Sequence, residues 1–394
     1  MGWLGLDDTD SLAGGCTTEV FHRLLNSLPP ETRLGTPRLV RLWPFAQRRT
    51  RGNAALSIEL NHPRPEELLA HLEAWWQTHI APLEGAVLTS KRSDRDQSPA
   101  SPGMVWFEHQ PKPDVYWDAV RREVRIDELP TATRSWGGHG RIGATAAAAW
   151  PALSCTWEAI SWRMDEQVGP RQLNTQMLEH LDQWPDIVLS RDPRKGKQLV
   201  APRGESPLLF GLRSLNRKDA ERACTLLLEA EGTESAKGWR IFQTNQATGD
   251  HLEGTLQAQV LAVDVDAVRK HVQLETDVCP MVLYAEGGPV NALGRWLAVG
   301  DRIEVRGLVH PSGSLHVEQV RLVQAVPRKT QRPLCVRCQT RMKSMGAGQG
   351  IRCPACKHRS EDAWDDVEPV PPFVGWLEPP MDARRHLARP LSWL

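Results

Sequence analysis

The chain is poor in two of the three aromatic residue types and carries no net charge. Its 394 residues include only two Tyr and six Phe against 16 Trp, and 48 Lys and Arg balance 48 Asp and Glu. Zero net charge excludes a nucleic-acid binder that is basic over its whole surface, but it leaves local basic surfaces open. With 24% charged and 40% hydrophobic residues, the composition is that of a globular chain and argues against extended disorder.

Long apolar segments are also missing. No run approaches the roughly 18–20 apolar residues that cross a membrane, so we expect no membrane partner. The first residues have neither the basic region nor the apolar stretch of a secretory signal. Four of the eight Cys are closely spaced and four are scattered, which favours a reduced, cytoplasmic protein over a disulfide framework.

Charge is distributed unevenly along the chain. Residues 33–58 contain six Arg and no acidic residue, and residues 328–359 contain nine Lys and Arg and no acidic residue. Five acidic residues follow within residues 361–368. The neutral total therefore conceals at least two basic surfaces.

Hydrophobic spacing divides the chain into segments of different type. A buried strand at residues 1–6 and helices at residues 17–28 and 66–78 indicate a first α+β or α/β domain that ends near residue 150–165. The segment that continues to about residue 250 predicts a small βαβ-like domain. Beyond it, β-branched runs separated by Gly, Asp and Pro predict a small antiparallel barrel, which either binds RNA or only bridges domains.

The strongest local signal is a pair of Cys-x-x-Cys motifs, which comprises Cys335, Cys338, Cys353 and Cys356. Two such knuckles on a short hairpin place four thiolates around one zinc ion, and four thiolates leave no open position, so the zinc is structural. An iron–sulfur cluster and a chance spacing are the alternatives. The surrounding basic residues predict a nucleic-acid contact or, alternatively, an ordinary solvated face.

An acidic cluster follows the first strand. Asp7, Asp8 and Asp10 lie within four residues, and Gly14 and Gly15 then lead into a helix that starts with Thr17 and Thr18. Clustered carboxylates call for a cation such as Mg²⁺, and the N-terminus of a helix favours phosphate, so the pattern is typical of phosphoryl transfer. The alternative is an acidic surface turn before a Thr-capped helix.

Two weaker signals come later in the chain. A Gly-rich turn with Gly140, Arg141 and Gly143 allows the backbone to approach a ligand, although no Walker motif is present and the turn is as readily structural. His251 is either a catalytic base or a hydrogen-bonded loop histidine.

Taken together, the motifs resemble those of the isoleucine-tRNA 2-agmatinylcytidine synthetase family (TiaS), a family of archaeal-type tRNA-modifying ligases. The resemblance runs over nearly the whole chain and depends on many short matches in the same order. These are Gly5-Leu6-Asp7-Asp8-Thr9-Asp10-Ser11, Gly15-Cys16-Thr17-Thr18, Pro37-Arg38-Leu39-Val40-Arg41-Leu42, Thr50-Arg51-Gly52-Asn53-Ala54-Ala55, Gly140-Arg141-Ile142-Gly143-Ala144, Phe210-Gly211-Leu212-Arg213, Asn245-Gln246-Ala247-Thr248, the zinc ribbon and Ala383-Arg384-Arg385-His386-Leu387.

The resemblance implies a multidomain α+β protein in four parts. These are a kinase-like α/β ATP-binding domain at residues 1–155, a ferredoxin-like domain at 156–250, an OB-fold β-barrel at 251–327, and a zinc ribbon with a C-terminal tail at 328–394.

The resemblance also implies a reaction and its participants. ATP phosphorylates the C2 oxygen of the wobble cytidine in the CAU anticodon of an isoleucine tRNA, and the amine of agmatine then displaces that oxygen. The implied catalytic residues are Asp7, Asp8 and Asp10, which hold Mg²⁺ and phosphates, and Thr18, which is itself phosphorylated in the family. The implied ATP-binding residues are Ser11, Gly14, Gly15, Thr17, Gly140, Arg141 and Gly143, and the substrate-binding residues are Arg51, Asn53, Arg213, Asn245, Thr248, His251, Arg384 and Arg385.

Two other functions stay open at this point. The same domains could serve an ATP-dependent enzyme that joins another amine to RNA, or a non-catalytic zinc-ribbon and OB-fold protein that binds RNA. The intact acidic cluster and Thr18 argue against the second of these.

Overall fold

The computed structural model describes residues 1–10, 15–49, 53–85, 98–192, 194–202 and 206–393. These form two compact units, which are residues 1–253 together with the segment after residue 380, and Gly254–Pro380. The end of the chain therefore belongs with the N-terminal unit.

The first unit is built on one ten-stranded sheet. Its strand order is β6-β5-β1-β4-β3-β12-β7-β11-β8, with β2 also paired to β4, and a separate hairpin joins β9 to β10. The strands are β1 (Gly2–Asp7), β2 (Arg33–Leu34), β3 (Arg38–Arg41), β4 (Ala54–Asn61), β5 (Gly103–Phe107), β6 (Arg134–Gly137), β7 (Thr156–Arg163), β8 (Ile187–Val188), β9 (Arg191–Asp192), β10 (Lys197–Gln198), β11 (Leu208–Ser214) and β12 (Ala236–Thr244).

The directions of the strands bring several candidate site residues to one edge of this sheet. Neighbouring strands are antiparallel except β3 and β12, which are parallel. Consequently β1, β3, β6, β11 and β12 run in the same direction and end at the same edge, which we call the carboxyl edge. Asp7, Arg41, Gly137, Ser214 and Thr244 are the last residues of these strands.

Helices cover the sheet, and their sequences explain where they form. In α1 the apolar residues Phe21, Leu24 and Leu25 recur at helical spacing and are buried. Pro65 occupies the first turn of α2, and the side chain of Asn216 caps α6 by accepting a hydrogen bond from the amide of Asp219. The helices of this unit are α1 (Thr17–Ser27), α2 (Pro65–Trp75), α3 (Asp114–Arg121), α4 (Arg141–Ala149), α5 (Thr175–Leu181) and α6 (Arg217–Glu229).

Tryptophan supplies much of the core that Tyr and Phe fill in other proteins. Trp150 and Trp162 are fully buried, and Trp106 and Trp136 lie with Leu4 in the apolar layer beneath α1 and α2. The abundance of Trp is therefore explained in part by packing.

The second unit contains a closed barrel and a cysteine-rich ribbon. The barrel strands are joined in the order β13-β14-β15-β17-β16, and α7 packs against their apolar interior. The elements are β13 (Leu256–Val265), β14 (Val272–Thr276), β15 (Met281–Leu283), α7 (Pro289–Trp296), β16 (Arg302–Val309), β17 (Leu315–Gln324), β18 (Arg328–Gln331), β19 (Lys343–Ser344), β20 (Ile351–Arg352), β21 (Arg359–Ser360) and β22 (Asp365–Val367). Among the described helices of both units, none has the length and apolar character needed to cross a membrane.

Candidate active site

Two carboxylates at the end of β1 form the centre of the site. Asp8 has a φ of 59°, a left-handed conformation that Asp tolerates better than most residues. Its amide donates a hydrogen bond to Oδ1 of Asp7 at 2.7 Å, and the amide of Ser101 donates to Oδ2 of Asp8 at 2.9 Å. The turn after β1 therefore holds the two acidic side chains next to each other.

The carboxylates are electrostatically unfavourable without a positive partner. Burial, with the neighbouring charge of Asp8, raises the pKa of Asp7 well above its ordinary value. Burial, with the charge of Asp10, raises the pKa of Asp8 to about 7, although the Ser101 amide and Arg48 oppose this change. Hard oxygen donors under this repulsion fit a divalent cation such as Mg²⁺.

Glycine allows α4 to begin directly against this turn. A Cβ atom at Gly143 would lie 1.9 Å from Oδ2 of Asp7, and one at Gly140 would lie 2.6 Å from the carbonyl oxygen of Asp7. A Cβ atom at Gly103 would lie 1.9 Å from the amide nitrogen of Arg141. The start of α4, where the helix dipole favours anions, thus lies beside the carboxylates. Its first amides, those of Arg141 and Ile142, already donate to the carbonyls of Gly138 and His139.

The carboxylates open into a cleft with basic walls. Arg48 and Arg49 supply positive charge around Asp7 and Asp8, which suits a phosphate chain bridged by a metal ion. Arg122 also lines the cleft, but its guanidinium pairs with Asp118 and Glu128. The other described residues that line the cleft are Leu42, Trp43, Ala46, Asn53, Ala119, Glu123, Val124, His139, Gly140, Ile142 and Gly143.

Asn53 and Arg141 make contacts within the protein at this cleft. Asn53 has a φ of 40°, and its side-chain amide donates to the carbonyl of Trp43 at 2.5 Å. The guanidinium of Arg141 donates to the carbonyl of Gly138 at 3.2 Å. Among the described residues, Asn53 lines the cleft, whereas Arg141 does not.

The start of α1 is more enclosed than its sequence predicts. The hydroxyl of Thr17 donates to Oδ1 of Asp10 at 3.3 Å. The hydroxyl of Thr18 lies 2.9 Å from the sulfur of Cys16 and accepts a hydrogen bond from the indole of Trp162 at 3.1 Å. Only 7% of Thr18 is exposed. Gly15 has a φ of 77° and permits the turn into α1, whereas the candidates Ser11, Gly14 and Arg51 lie outside the described residues.

A second polar cluster lies further along the carboxyl edge, and we call it the Glu158 cluster. Glu158 is 4% exposed, and its carboxylate lies 3.8 Å from the guanidinium of Arg41 and 3.6 Å from that of Arg213. The side-chain amide of Gln246 donates to Oε2 of Glu158, and Oε1 of Gln246 lies 3.2 Å from Nδ1 of His386. Of these five residues, only Arg213 is predicted from the sequence as a site residue.

One available signal points to this cluster. Gly211 lies inside β11, and a Cβ atom there would lie 2.6 Å from Oε1 of Glu158. A glycine in the interior of a strand indicates that another group approaches the backbone closely. The sequence contains that indication but does not identify the approaching group.

Asn245 and Thr248 form hydrogen bonds within the protein, and His251 is buried. Oδ1 of Asn245 accepts from the amide of Arg41 at 2.7 Å, and its amide donates to the Arg41 carbonyl at 2.9 Å, so it joins the ends of β3 and β12. The hydroxyl of Thr248 donates to the carbonyl of Asn245 at 2.8 Å. His251 is 1% exposed.

The two arginines of the C-terminal segment lie in different surroundings. The guanidinium of Arg385 stacks 4.6 Å from the ring centre of Phe45, on the loop that lines the cleft. Arg384 lines a separate pocket of the first unit with Arg191 and Trp393.

The ribbon residues fit a zinc ion. Cys335 and Cys356 have sulfurs 3.5 Å apart, and those of Cys338 and Cys353 are 3.4 Å apart. All four sulfurs lie within 4.8 Å of one another. Tetrahedral zinc with Zn–S bonds of about 2.3 Å requires sulfur separations of about 3.8 Å, so small shifts complete the geometry.

These features define a protein of two compact units. The first contains a cleft that is lined by carboxylates and arginines, and the second contains a small closed barrel and a four-cysteine ribbon. Family models match in the same order as the structural parts. The TiaS TCKD domain matches residues 3–71, the TiaS FLD domain matches residues 138–251, and the TiaS C-terminal zinc ribbon domain matches residues 332–366.

Whole-length relatives agree with these matches. The chain is 30% identical to the isoleucine-tRNA 2-agmatinylcytidine synthetase TiaS of Methanosarcina acetivorans, over 99% of this chain and 96% of the relative. It is 31% identical to the TiaS of Cenarchaeum symbiosum, over 98% of this chain and 91% of the relative. The chain therefore belongs to the TiaS family, and the resemblance inferred from the motifs is confirmed.

Solved structures show the same architecture over the full length. The structure of apo TiaS, an agmatidine synthetase for isoleucine tRNA, has a TM-score of 0.78 and 25% identity, and the comparison covers 100% of this chain and 97% of that one. The structure of TiaS in complex with its isoleucine tRNA and ATP also has a TM-score of 0.78, with 26% identity over the same shares of both chains.

Proposed function

We propose that this chain is an ATP-dependent ligase that joins agmatine to C2 of the wobble cytidine in the CAU-anticodon isoleucine tRNA, through an intermediate phosphorylated on the C2 oxygen. The observation that carries the proposal is the pair of half-buried carboxylates, Asp7 and Asp8, held against the start of α4 in a cleft that arginines also line. The full-length TiaS relatives support the choice of amine and RNA.

The cleft is suited to hold the triphosphate of ATP with Mg²⁺. Asp7, Asp8 and Asp10 would hold the metal, which would neutralise charge on the phosphates. The residues proposed to surround the nucleotide are Ser11, Gly14, Gly15, Thr17, Gly140, Arg141 and Gly143. The TiaS relative solved with isoleucine tRNA and ATP supports ATP as the nucleotide.

The chemistry explains why a phosphoryl-transfer centre is needed. The C2 oxygen of cytidine is a poor leaving group, and an amine cannot displace it until phosphorylation converts it to phosphate. The base must also leave its stack to reach both reactants, and binding must hold the amine close to C2. Thr18 is the proposed site of self-phosphorylation, and its hydroxyl must first leave its contact with Trp162.

The proposed domains follow the chain. Residues 1–155 are kinase-like and residues 156–250 ferredoxin-like, with β11 and β12 running in the same direction on either side of β7. Residues 251–327 form an OB-fold, which the five-stranded closed barrel supports. Residues 328–394 carry the zinc ribbon and the tail, and the tail belongs to the first compact unit.

The tRNA is proposed to bind largely through its phosphates. Nine Lys and Arg in residues 328–359 make the ribbon and its flanks basic, and phosphate contacts fix the register of an RNA without reading its sequence. The residues proposed to contact the substrates are Arg51, Asn53, Arg213, Asn245, Thr248, His251, Arg384 and Arg385. A cytoplasmic location follows from a tRNA substrate.

Incubation of the purified protein with ATP, Mg²⁺, labelled agmatine and a CAU-anticodon tRNA transcript tests the proposal. We expect label in the tRNA, and we expect Asp8→Asn to lower the rate at least about 100-fold because phosphoryl transfer depends on charge stabilisation. Glu108→Gln, which changes an exposed acidic residue, is the matched control.

The same assay separates the alternatives. Incorporation of another amine in place of agmatine would identify a related ligase with a different substrate. Failure to transfer the γ-phosphate of labelled ATP either to tRNA or to Thr18 would refute the enzymatic proposal and leave an RNA-binding protein.

A further inference from the structure

The C-terminal segment carries a histidine to the carboxyl edge of the sheet. The amide of Ala247 donates to the carbonyl of His386 at 2.8 Å, and the amide of Gly249 donates to the carbonyl of Leu387 at 2.8 Å. Leu387 is 3% exposed and packs in the core next to α3 and α4. Backbone pairing and burial therefore fix the position of His386 beside the Glu158 cluster.

A chain of hydrogen bonds fixes which nitrogen of His386 carries the proton. The side-chain nitrogen of Gln246 faces Glu158 and donates to its Oε2. This orientation leaves Oε1 of Gln246 facing Nδ1 of His386 at 3.2 Å. A carbonyl oxygen can only accept, so Nδ1 carries the hydrogen, and in the neutral ring Nε2 then carries the lone pair.

The surroundings of His386 keep this lone pair available. The charge of Arg41, burial and the charge of Arg213, in that order, hold the pKa of His386 well below its ordinary value. His386 is exposed to solvent, so a substrate can reach its ring. Among the described residues, His386 forms its side-chain hydrogen bond through Nδ1, and Nε2 takes no part in that contact.

We propose that Nε2 of His386 is the base that accepts the proton of the attacking amine in the second half of the reaction. This inference rests on the function proposed above. Agmatine attacks as the neutral amine, after its ammonium proton has passed to water. The amine lone pair forms the N–C2 bond, the C2–O bond breaks, and its electron pair leaves with the phosphate. The N–H proton moves to Nε2 and from there to water.

A weak base suffices for this step. Once the amine nitrogen bonds to C2 it carries positive charge, and its proton becomes far more acidic than that of the free ammonium ion. A neutral imidazole of low pKa can then accept the proton, and it remains unprotonated at neutral pH. Glu158 and Gln246 act through His386 as positioning residues, in the way that a carboxylate or amide orients histidine in hydrolytic enzymes.

Single-turnover measurements on the full chain test the assignment, with the two half-reactions followed separately. Transfer of the γ-phosphate to tRNA is measured without agmatine, and transfer of labelled agmatine is measured after the phosphorylated tRNA has formed. For His386→Asn we expect phosphorylated tRNA to accumulate and agmatine transfer to slow at least about 100-fold. His109→Asn, a change of an exposed histidine, should behave like the wild type.

A rescue experiment distinguishes a base from a structural contact. His386→Gly should regain part of its agmatine transfer when free imidazole is added, and the rescue should follow the concentration of neutral imidazole. Wild-type rates of agmatine transfer in His386→Asn, equal loss of both half-reactions, or no rescue by imidazole would each overturn the assignment. Failure of the wild-type protein to use agmatine would instead refute the proposed function.

Discussion

Asp8 shows how a functional side chain can oppose folding. Its carboxylate is partly buried beside Asp7 and Asp10, and its pKa rises to about 7 from its ordinary value near 4. An acid whose pKa is higher in the folded chain is penalised when it ionises, so this group subtracts stability progressively from about pH 4 to pH 7. The loss is complete above that range.

The substitution Asp8→Asn should therefore stabilise the metal-free protein. Asparagine keeps an oxygen that accepts from the Ser101 amide but carries no charge. We expect the melting temperature to rise by about 2–4 °C at pH 8, which corresponds to about 1 kcal/mol in a unit of this size. The gain should shrink at pH 5, and thermal unfolding at the two pH values measures it.

Magnesium supplies the control for this prediction. Added Mg²⁺ should raise the melting temperature of the wild type more than that of Asp8→Asn, because the variant lacks one charged ligand. A variant that is less stable than the wild type at pH 8, or that gains equally from Mg²⁺, would show that the Asp8 charge is not the cause.

At the scale of elements, the contact between β1 and α4 depends on the absence of a side chain at Gly143. Alanine favours the interior of a helix by about 1 kcal/mol over glycine, so Gly143→Ala should strengthen α4 in isolation. Its Cβ atom would nevertheless lie 1.9 Å from Oδ2 of Asp7 and would force the carboxylate away. We expect phosphoryl transfer to fall at least about 100-fold while the chain remains folded, as measured by transfer of labelled γ-phosphate and by circular dichroism.

Gly294→Ala is the matched control, since it is also a helical glycine. A Cβ atom there would lie 2.9 Å from the end of the Leu283 side chain, which can rotate away, so activity should persist. Wild-type phosphoryl transfer by Gly143→Ala would contradict the geometry of the site.

Local patterns predicted the individual elements well. The helix predicted at residues 17–28 is α1, and the helix predicted at residues 66–78 is α2, which continues as a π-helical turn, Trp76–Ile80. These segments have apolar residues at helical spacing, which is a local property of the sequence. The acidic turn after β1 and the Gly-rich turn before α4, which the sequence offers as separate signals, lie against each other in the structure.

Contacts between distant segments could not be predicted. The parallel pairing of β3 with β12 joins residues that are about 200 positions apart into one sheet, and no local pattern encodes that register. The Glu158 cluster depends on the same pairing and on the returning C-terminal segment. Four of its residues, which are Arg41, Arg213, Gln246 and His386, lie in the motifs of the family resemblance, but no single motif shows that they meet, and Glu158 lies outside those motifs.

At the scale of the whole molecule, the net charge is zero, but Lys and Arg are concentrated in residues 328–359 around the ribbon. The ribbon holds its Lys and Arg on short strands around four cysteines, two of which, Cys335 and Cys353, are fully buried. Metal binding supplies the free energy of folding in such small modules because they have little apolar core. Zinc should consequently control a large part of the affinity for tRNA without affecting the first unit.

Cys353→Ser should remove zinc and unfold the ribbon while the first unit stays folded. We expect tRNA binding to weaken by about tenfold or more, and the logarithm of the affinity to fall less steeply with the logarithm of salt concentration, because fewer phosphates are neutralised. Metal analysis and binding titrations at several salt concentrations measure both effects. Cys279→Ser, a change at a free cysteine of the barrel, should keep zinc and the wild-type salt dependence. A zinc-free variant with unchanged affinity and salt dependence would place the RNA contacts elsewhere on the molecule.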